Sequence, residues 1–158
     1  MNKKSMLKYI IFVIASVVLI LIDQVTKYLS LKHLCNKKSI PIIDNVLELT
    51  YVENRGAAFG ILQDKQTLFF VLTIVVLVFI IYSLINLKFD RYHIPYFIFL
   101  TLIFSGAMGN FIDRLRNKCV VDMIYFKPID FPVFNFADIC ITCGCILFIY
   151  SLIFIYKD

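Results

Sequence analysis

Histidine is nearly missing from this chain: there are two, His33 and His93, far apart and in different hydrophilic stretches. That leaves no shared His-based metal site and no base beside a Ser or Cys for nucleophilic catalysis. Glycine is scarce too. The five present form neither a phosphate-cradling loop nor a nucleotide fingerprint. No internal repeat, low-complexity tract or linker appears. No small-x-small cleavage site follows the first apolar run, so Lys3, Lys4 and Lys8 with that run read as an uncleaved first helix. What is abundant is apolar surface: 61% hydrophobic residues and a mean hydropathy of +0.86, against about 45–50% in a soluble domain. With room for a single domain, 1–158, much of that surface has no protein interior to enter. Lipid must cover it.

The apolar runs agree. Tyr9 to Ile22 is broken only by Ser16, and its helical pattern continues to Leu31. Further runs cover Thr67–Leu87, Ile94–Ile112 and Phe136–Tyr156. Each approaches the ~20 residues that cross a bilayer as a helix. Lipid offers the backbone no partners, so helix is the only conformation open to them. The reading is an α-helical membrane protein with four transmembrane helices, about 9–31, 67–87, 94–112 and 136–156. Both termini then lie on one side. The termini and the loop at Lys88–His93 carry fewer Lys and Arg than the other side, which does not favour termini inside. The basic residues hard against the start of the first helix do. Both termini are therefore expected in the cytoplasm.

That orientation puts the two larger loops, about 32–66 and 115–135, outside. Val46–Glu53 is rich in β-branched and aromatic residues with partial alternation and reads as a strand, ended by the turn signal Asn54-Arg55-Gly56. Val120–Phe126 reads as a second strand, followed by Pro128 and Pro132. A small extracytoplasmic β cradle over the helix ends is the expectation. Ala57–Leu62 is apolar enough to lie against the membrane and to serve as a lid.

Polar residues inside the greasy runs deserve most weight. Asp23 and Lys27 share a helix face; they read either as a snorkelling pair near the surface or as supports of a site. Ser105, Gly106 and Gly109 let another backbone approach the third helix. Asn110 and Arg114 stack on that helix, and Asp113 and Arg116 are spaced to pair. Such a cluster at one helix end exceeds what packing requires. Cys140, Cys143 and Cys145 form a C-x-x-C-x-C, but inside a membrane helix without a local His they read as small hydrophobes. Cys35 and Cys119 lie in outer loops, where a disulfide between them is conceivable. The net charge of +5 is spread along the chain, which suits anionic lipid and not nucleic acid.

Two acids remain, each at the edge of an apolar run: Asp122 after Val120-Val121, and Asp138 after Phe134-Asn135-Phe136-Ala137. A carboxylate at membrane depth costs about 2.5–3.5 kcal/mol on insertion scales. Solvated acids or helix caps are one reading of them. The other is a pair that shares a proton, one member drawing a proton from water and the other hydrogen-bonding a carbonyl under attack. That is aspartic-peptidase chemistry, and it needs no metal or cofactor. Asn135, three residues before Asp138, is placed to cap the fourth helix.

These stretches resemble a known family. Ser105–Arg114, Val120-Val121-Asp122 and Phe134–Asp138, with Asp23-Gln24-x-x-Lys27 and Asn54–Gly60, closely resemble the motifs of bacterial lipoprotein signal peptidases, the type II signal peptidases. The motifs come in the family's order and cover nearly the whole chain. The resemblance implies a plasma-membrane aspartyl endopeptidase that cuts a prolipoprotein just before its diacylglyceryl-modified cysteine, at a site near the extracytoplasmic surface and open to membrane lipid. It implies Asp122 and Asp138 as the catalytic pair. Asn54, Gly56, Asn110, Asp113, Arg114, Asn135, Asp23 and Lys27 match positions that line or support the site. The chain departs from the family at Leu115–Cys119, where a glycine is frequent, at Phe136, usually a smaller aliphatic residue, and at Ser105, often glycine. No cofactor, metal or nucleic acid enters, and nothing demands more than a monomer. Activity around neutral pH is expected. The rival readings are a small proton-coupled transporter, which would carry acids near mid-membrane, and a non-catalytic assembly subunit, which would not need both aspartates.

Overall fold

The computed structural model describes residues 3–35, 39–56 and 61–154. Its order is α1 (Lys3–Leu34), β1 (Ile40–Ile43), β2 (Leu47–Asn54), α2 (Gln66–Asn86), α3 (Ile94–Asn117), β3 (Val120–Phe126), a 3-10 turn (Lys127–Ile129) and α4 (Phe136–Phe154). All four α-helices are long and apolar enough to cross a membrane. Their outward faces are apolar and exposed, as at Ile14, Val78 and Ile146, as lipid-facing helices require.

α3 is the hub, packing against α1, α2 and most extensively α4. Its buried stripe runs Phe97, Thr101, Ser105, Gly109, Asp113, with Leu100, Gly106 and Asn110 beside it. That spacing is one face of an α-helix. The stripe changes chemistry along its length. At the α3 N-terminal end, Phe97 and Leu100 join Phe12, Ile80 and Leu84 in an apolar cluster. In the middle, small residues bring the helices together. A Cβ on Gly106 would collide with the Ala137 carbonyl and come within 2.7 Å of Ile141 Cγ1, and one on Gly109 would lie 2.5 Å from Asp23 Oδ2. At the far end the stripe is polar, and there the site forms.

Lys8 is buried at the apolar end. Its ammonium donates to the carbonyls of Leu84 at 2.6 Å and Leu87 at 2.9 Å, acceptors that the last turn of α2 leaves without helical partners.

The expected strands are present as β2 and β3, in an antiparallel sheet of order β1-β2-β3. β1 was not expected. It is four residues long, contains Pro41 and is exposed throughout, so it has no alternation to read. The register sets Val52 opposite Asp122 and Asn54 opposite Val120. Asn54 and Asp122 are thus diagonal neighbours on one face. Phe134 pairs with Ile124 beyond β3, which returns the chain to the head of α4.

Two helices are longer than their apolar runs. α1 includes Lys3–Lys8 and continues through His33. α3 continues past Ile112 to Asn117; in that stretch Asp113 is buried and Arg114 half-buried, while Leu115, Arg116 and Asn117 are exposed. It ends at Lys118, whose φ of 57° and ψ of 14° are left-handed. This is the position type that glycine favours, so within the departing stretch Leu115–Cys119 a lysine holds a conformation that glycine adopts at lower cost. Residues 57–60 of the expected lid lie outside the described residues; Ile61 and Leu62 are exposed. Cys35 and Cys119 are both free thiols.

Candidate active site

β3 carries Asp122 and the first turn of α4 carries Asp138. Both line a cavity of about 450 Å³ with Asn54, Gly56, Asn110 and Arg114. The rest of its wall is largely apolar, including Phe131, Val133, Phe134, Ile139 and Ile141.

Two asparagines connect the acids. Asn110 donates through Nδ2 to Asp138 Oδ1 at 2.9 Å. Asn135 donates through Nδ2 to Asp122 Oδ1 at 2.6 Å and to Asn110 Oδ1 at 3.2 Å. Asn54 supplies a second donor to Asp122, at 2.9 Å on Oδ2. Its own Oδ1 accepts the Gly56 N–H at 2.9 Å, the Asx-type turn that ends β2.

Asp122 is 2% exposed. Burial pushes its carboxyl up to about 6; the Asn54 hydrogen bond opposes this, the charge of Asp138 adds to it, and the Asn135 hydrogen bond and the Lys27 charge oppose it. A carboxyl held near 6 exchanges its proton in the range where a peptidase works.

Arg114 lies over the Phe69 ring, 4.5 Å from its centroid, and donates to the Gly56 carbonyl at 3.4 Å. Its guanidinium therefore brings positive charge to the cavity wall.

Beneath the cavity, Asp23 and Lys27 of α1 meet Asp113 of α3. The Lys27 ammonium lies 2.9 Å from Asp23 and 3.1 Å from Asp113, with all three side chains at most 6% exposed. These groups do not snorkel. Asp113 does not pair with Arg116 either; the i, i+3 spacing permits that contact, but Asp113 faces α1 and Arg116 is exposed. The structure thus brings every expected site residue into the cavity wall or the layer below it. Gln24 was quoted only as part of a motif. It joins Asp23 at 3.1 Å to Asp113 at 3.0 Å. The available signal is its position beside Asp23, in a stretch of the first helix already marked as polar by Asp23 and Lys27.

The family described as Signal peptidase (SPase) II matches residues 15–154. The chain belongs to the signal peptidase II family. It is 41% identical over 142 residues to a lipoprotein signal peptidase of Streptococcus pyogenes serotype M5, covering 90% of this chain and 92% of that one. To the lipoprotein signal peptidase of Caldanaerobacter subterraneus subsp. tengcongensis it is 48% identical over 136 residues, 85% of this chain and 90% of that one. A bacterial membrane enzyme solved by the in meso method at 2.3 Å superposes with a TM-score of 0.81 at 39% identity, covering 90% of this chain and 87% of its own. A second such enzyme, at 1.9 Å, gives 0.79 and 39%, covering 89% and 91%. As a signal peptidase II, the protein is an aspartic-type peptidase and a multi-pass membrane enzyme.

Proposed function

We propose that this signal peptidase cleaves diacylglyceryl-modified prolipoproteins just before the lipidated cysteine, with Asp122 and Asp138 as the catalytic pair. The observation that carries this reading is the asparagine bridge that holds two carboxyls at one partly apolar cavity. Among the described residues, both acids belong to the same hydrogen-bonded unit.

The shared proton is assigned to Asp122, whose burial favours the neutral form. Asp138 takes a proton from a water molecule as the water oxygen attacks the scissile carbonyl carbon. Asp122 gives its proton to the carbonyl oxygen, so the tetrahedral intermediate carries no net charge. Asp138 then returns its proton to the amide nitrogen as the C–N bond breaks. The intermediate's hydroxyl proton goes back to Asp122, leaving a carboxyl product, a free amine and the enzyme in its starting state. Arg114 holds a substrate carbonyl at the cavity wall, and Asn54, Gly56, Asn110 and Asn135 line or fix the pair.

The apolar wall suits a substrate that carries acyl chains and an apolar helix. In our reading the termini are cytoplasmic and the cavity opens near the extracytoplasmic surface, to lipid, in a monomer. A transporter reading fits less well, because the carboxylates of the site gather at one end of the bundle.

The test uses purified protein in lipid or detergent with a diacylglyceryl-modified prolipoprotein. The expected result is a shorter product, lost in Asp122→Asn and in Asp138→Asn and unchanged by chelators. Cleavage that survives both substitutions would sink the aspartyl reading. Equal cleavage of the unmodified precursor would remove the lipid requirement.

A further inference from the structure

We propose that Lys27 is a positioning residue: it clamps Asp23 and Asp113 together, and each of these grips the backbone N–H just before one of the reacting aspartates. This rests on the reading of Asp122 and Asp138 as the catalytic pair.

Each arm is direct. Asp23 Oδ1 accepts the N–H of Ala137 at 2.9 Å, and Ala137 precedes Asp138. Asp113 Oδ2 accepts the N–H of Val121 at 3.1 Å, and Val121 precedes Asp122. The Lys27 ammonium bonds to Asp23 Oδ2 at 2.9 Å, Asp113 Oδ2 at 3.1 Å and Asn110 Oδ1 at 2.9 Å. Three N–H donors thus meet three acceptors.

The third bond has its own effect. With Lys27 and Asn135 both donating to Asn110 Oδ1, the Asn110 amide is turned so that its Nδ2 faces Asp138. Lys27 therefore fixes which end of Asn110 meets the reacting carboxyl, as well as the backbone on either side of the cavity.

Nothing about helix packing asks for this arrangement. Two carboxylates and one ammonium are taken out of water, which is costly even when paired, and the small residues of α3 already allow close approach. What the arrangement supplies is a fixed separation between a strand and a helix that share no ladder. Reacting groups need that, since about 1 Å of misplacement lowers rate by about 100-fold.

The experiment compares Lys27→Met, Lys27→Arg and Asp113→Asn with the parent, measuring kcat, KM, the pH profile and thermal unfolding on a diacylglyceryl-modified prolipoprotein. Lys27→Met is expected to lower kcat about 100-fold with KM little changed. Lys27→Arg keeps the charge and two carboxylate bonds, and is expected to recover most of that loss. Asp113→Asn is expected to fall between them. The pH profile separates positioning from general weakening. Asp122 is faced by the charges of Asp138 from α4, Lys27 from α1 and Arg114 from α3, with Asn54 of β2 and Asn135 ahead of α4 donating to it and Asp113 of α3 bonded to the adjacent Val121 N–H. Losing the Lys27 charge makes Asp122 hold its proton more tightly, so the alkaline limb of kcat/KM moves to higher pH in Lys27→Met and stays in place in Lys27→Arg.

A folded Lys27→Met with parental kcat and pH limb overturns the positioning role while leaving the peptidase reading intact. If Lys27→Met does not fold, parental kcat and pH limb in Asp113→Asn overturn it equally. A kcat loss that Lys27→Arg fails to relieve, with KM rising in parallel, also overturns it. A parent that cleaves nothing, or an Asp122→Asn variant that still cleaves, sinks the catalytic pair and the positioning role with it.

Discussion

Asn135 and Asp138 cap one another at the head of α4. The Asp138 N–H donates to Asn135 Oδ1 at 3.0 Å, and the Asn135 N–H donates to Asp138 Oδ2 at 3.1 Å. This is a capping box with an aspartate in the third helical position. The helix-cap reading of Asp138 is therefore right, and it is compatible with the proposed role of the same side chain as a reacting acid. Asp138→Asn and Asp138→Ala should be equally inactive, but only the alanine loses the cap acceptor. It should be less stable than the asparagine variant by about 1 kcal/mol, measured by thermal unfolding in detergent. Equal stabilities would mean that the box contributes nothing.

Asp122 is expected to make stability depend on pH and, as a member of the proposed catalytic pair, activity as well. Its folded value, about 6, lies above the ordinary 3.8. The stabilising contribution of the neutral carboxyl is fully present below about pH 4 and is lost as pH rises through about 6. On the scale of 1.36 kcal/mol per pH unit it is worth about 3 kcal/mol. Unfolding measured from pH 4 to 7 should show that decline, and Asp122→Asn should flatten it. The free enzyme loses the shared proton over the same range, so kcat/KM should fall above about pH 6. A docked lipid substrate excludes more water, so the limb of kcat should lie higher, toward neutral pH.

Asn54 opposes the effect of burial on Asp122 through its hydrogen bond. Asn54→Ala should move the alkaline limb of kcat/KM to higher pH. It also removes the acceptor for the Gly56 N–H, so it should weaken substrate binding as well. A limb that stays in place would show that water replaces the lost donor fully.

Gly106 has no space for a side chain. In Gly106→Ala the new methyl must displace the Ala137 carbonyl or Ile141, one residue from Asp138. Overpacking of this kind costs about 1–3 kcal/mol. Cleavage should fall by more than the loss of folded protein explains, which activity per folded molecule would reveal.

Lys118 holds a left-handed conformation that costs an ordinary residue about 1–2 kcal/mol. Lys118→Gly removes that cost but gives the unfolded chain more freedom. A net gain of about 0.5–1 kcal/mol is expected, with cleavage unchanged. Thermal unfolding and the prolipoprotein assay check the two halves separately.

The four helices are legible because lipid leaves an apolar run no other conformation, β2 because a β-branched and aromatic stretch with partial alternation ends in a turn signal, and β3 because a similar stretch is bounded by Pro128 and Pro132. β1 carried no such signal, being short, exposed on both faces and interrupted by Pro41. Asp122, Asp138 and their asparagines could be picked out because polar groups at the edge of apolar runs need a reason. The direction of Asp113 could not. Local spacing offered Arg116, and only the crossing of α1 over α3 makes Lys27 the nearer cation. The grip of Asp23 on Ala137 was equally invisible, since no pattern within one helix reports which distant backbone group it will meet.

That last bond joins the first helix made to the last, 114 residues apart. While the chain is being synthesised, α1, α3 and β3 emerge before Phe136, so Asp23 waits for a partner that arrives only with α4. A chain stopped before that helix lacks Asp138, and with it one half of the capping box, and the second arm of the clamp. On the proposed mechanism, cleavage therefore waits for α4, and a chain inserted only as far as α3 has no means of cutting its neighbours in the membrane.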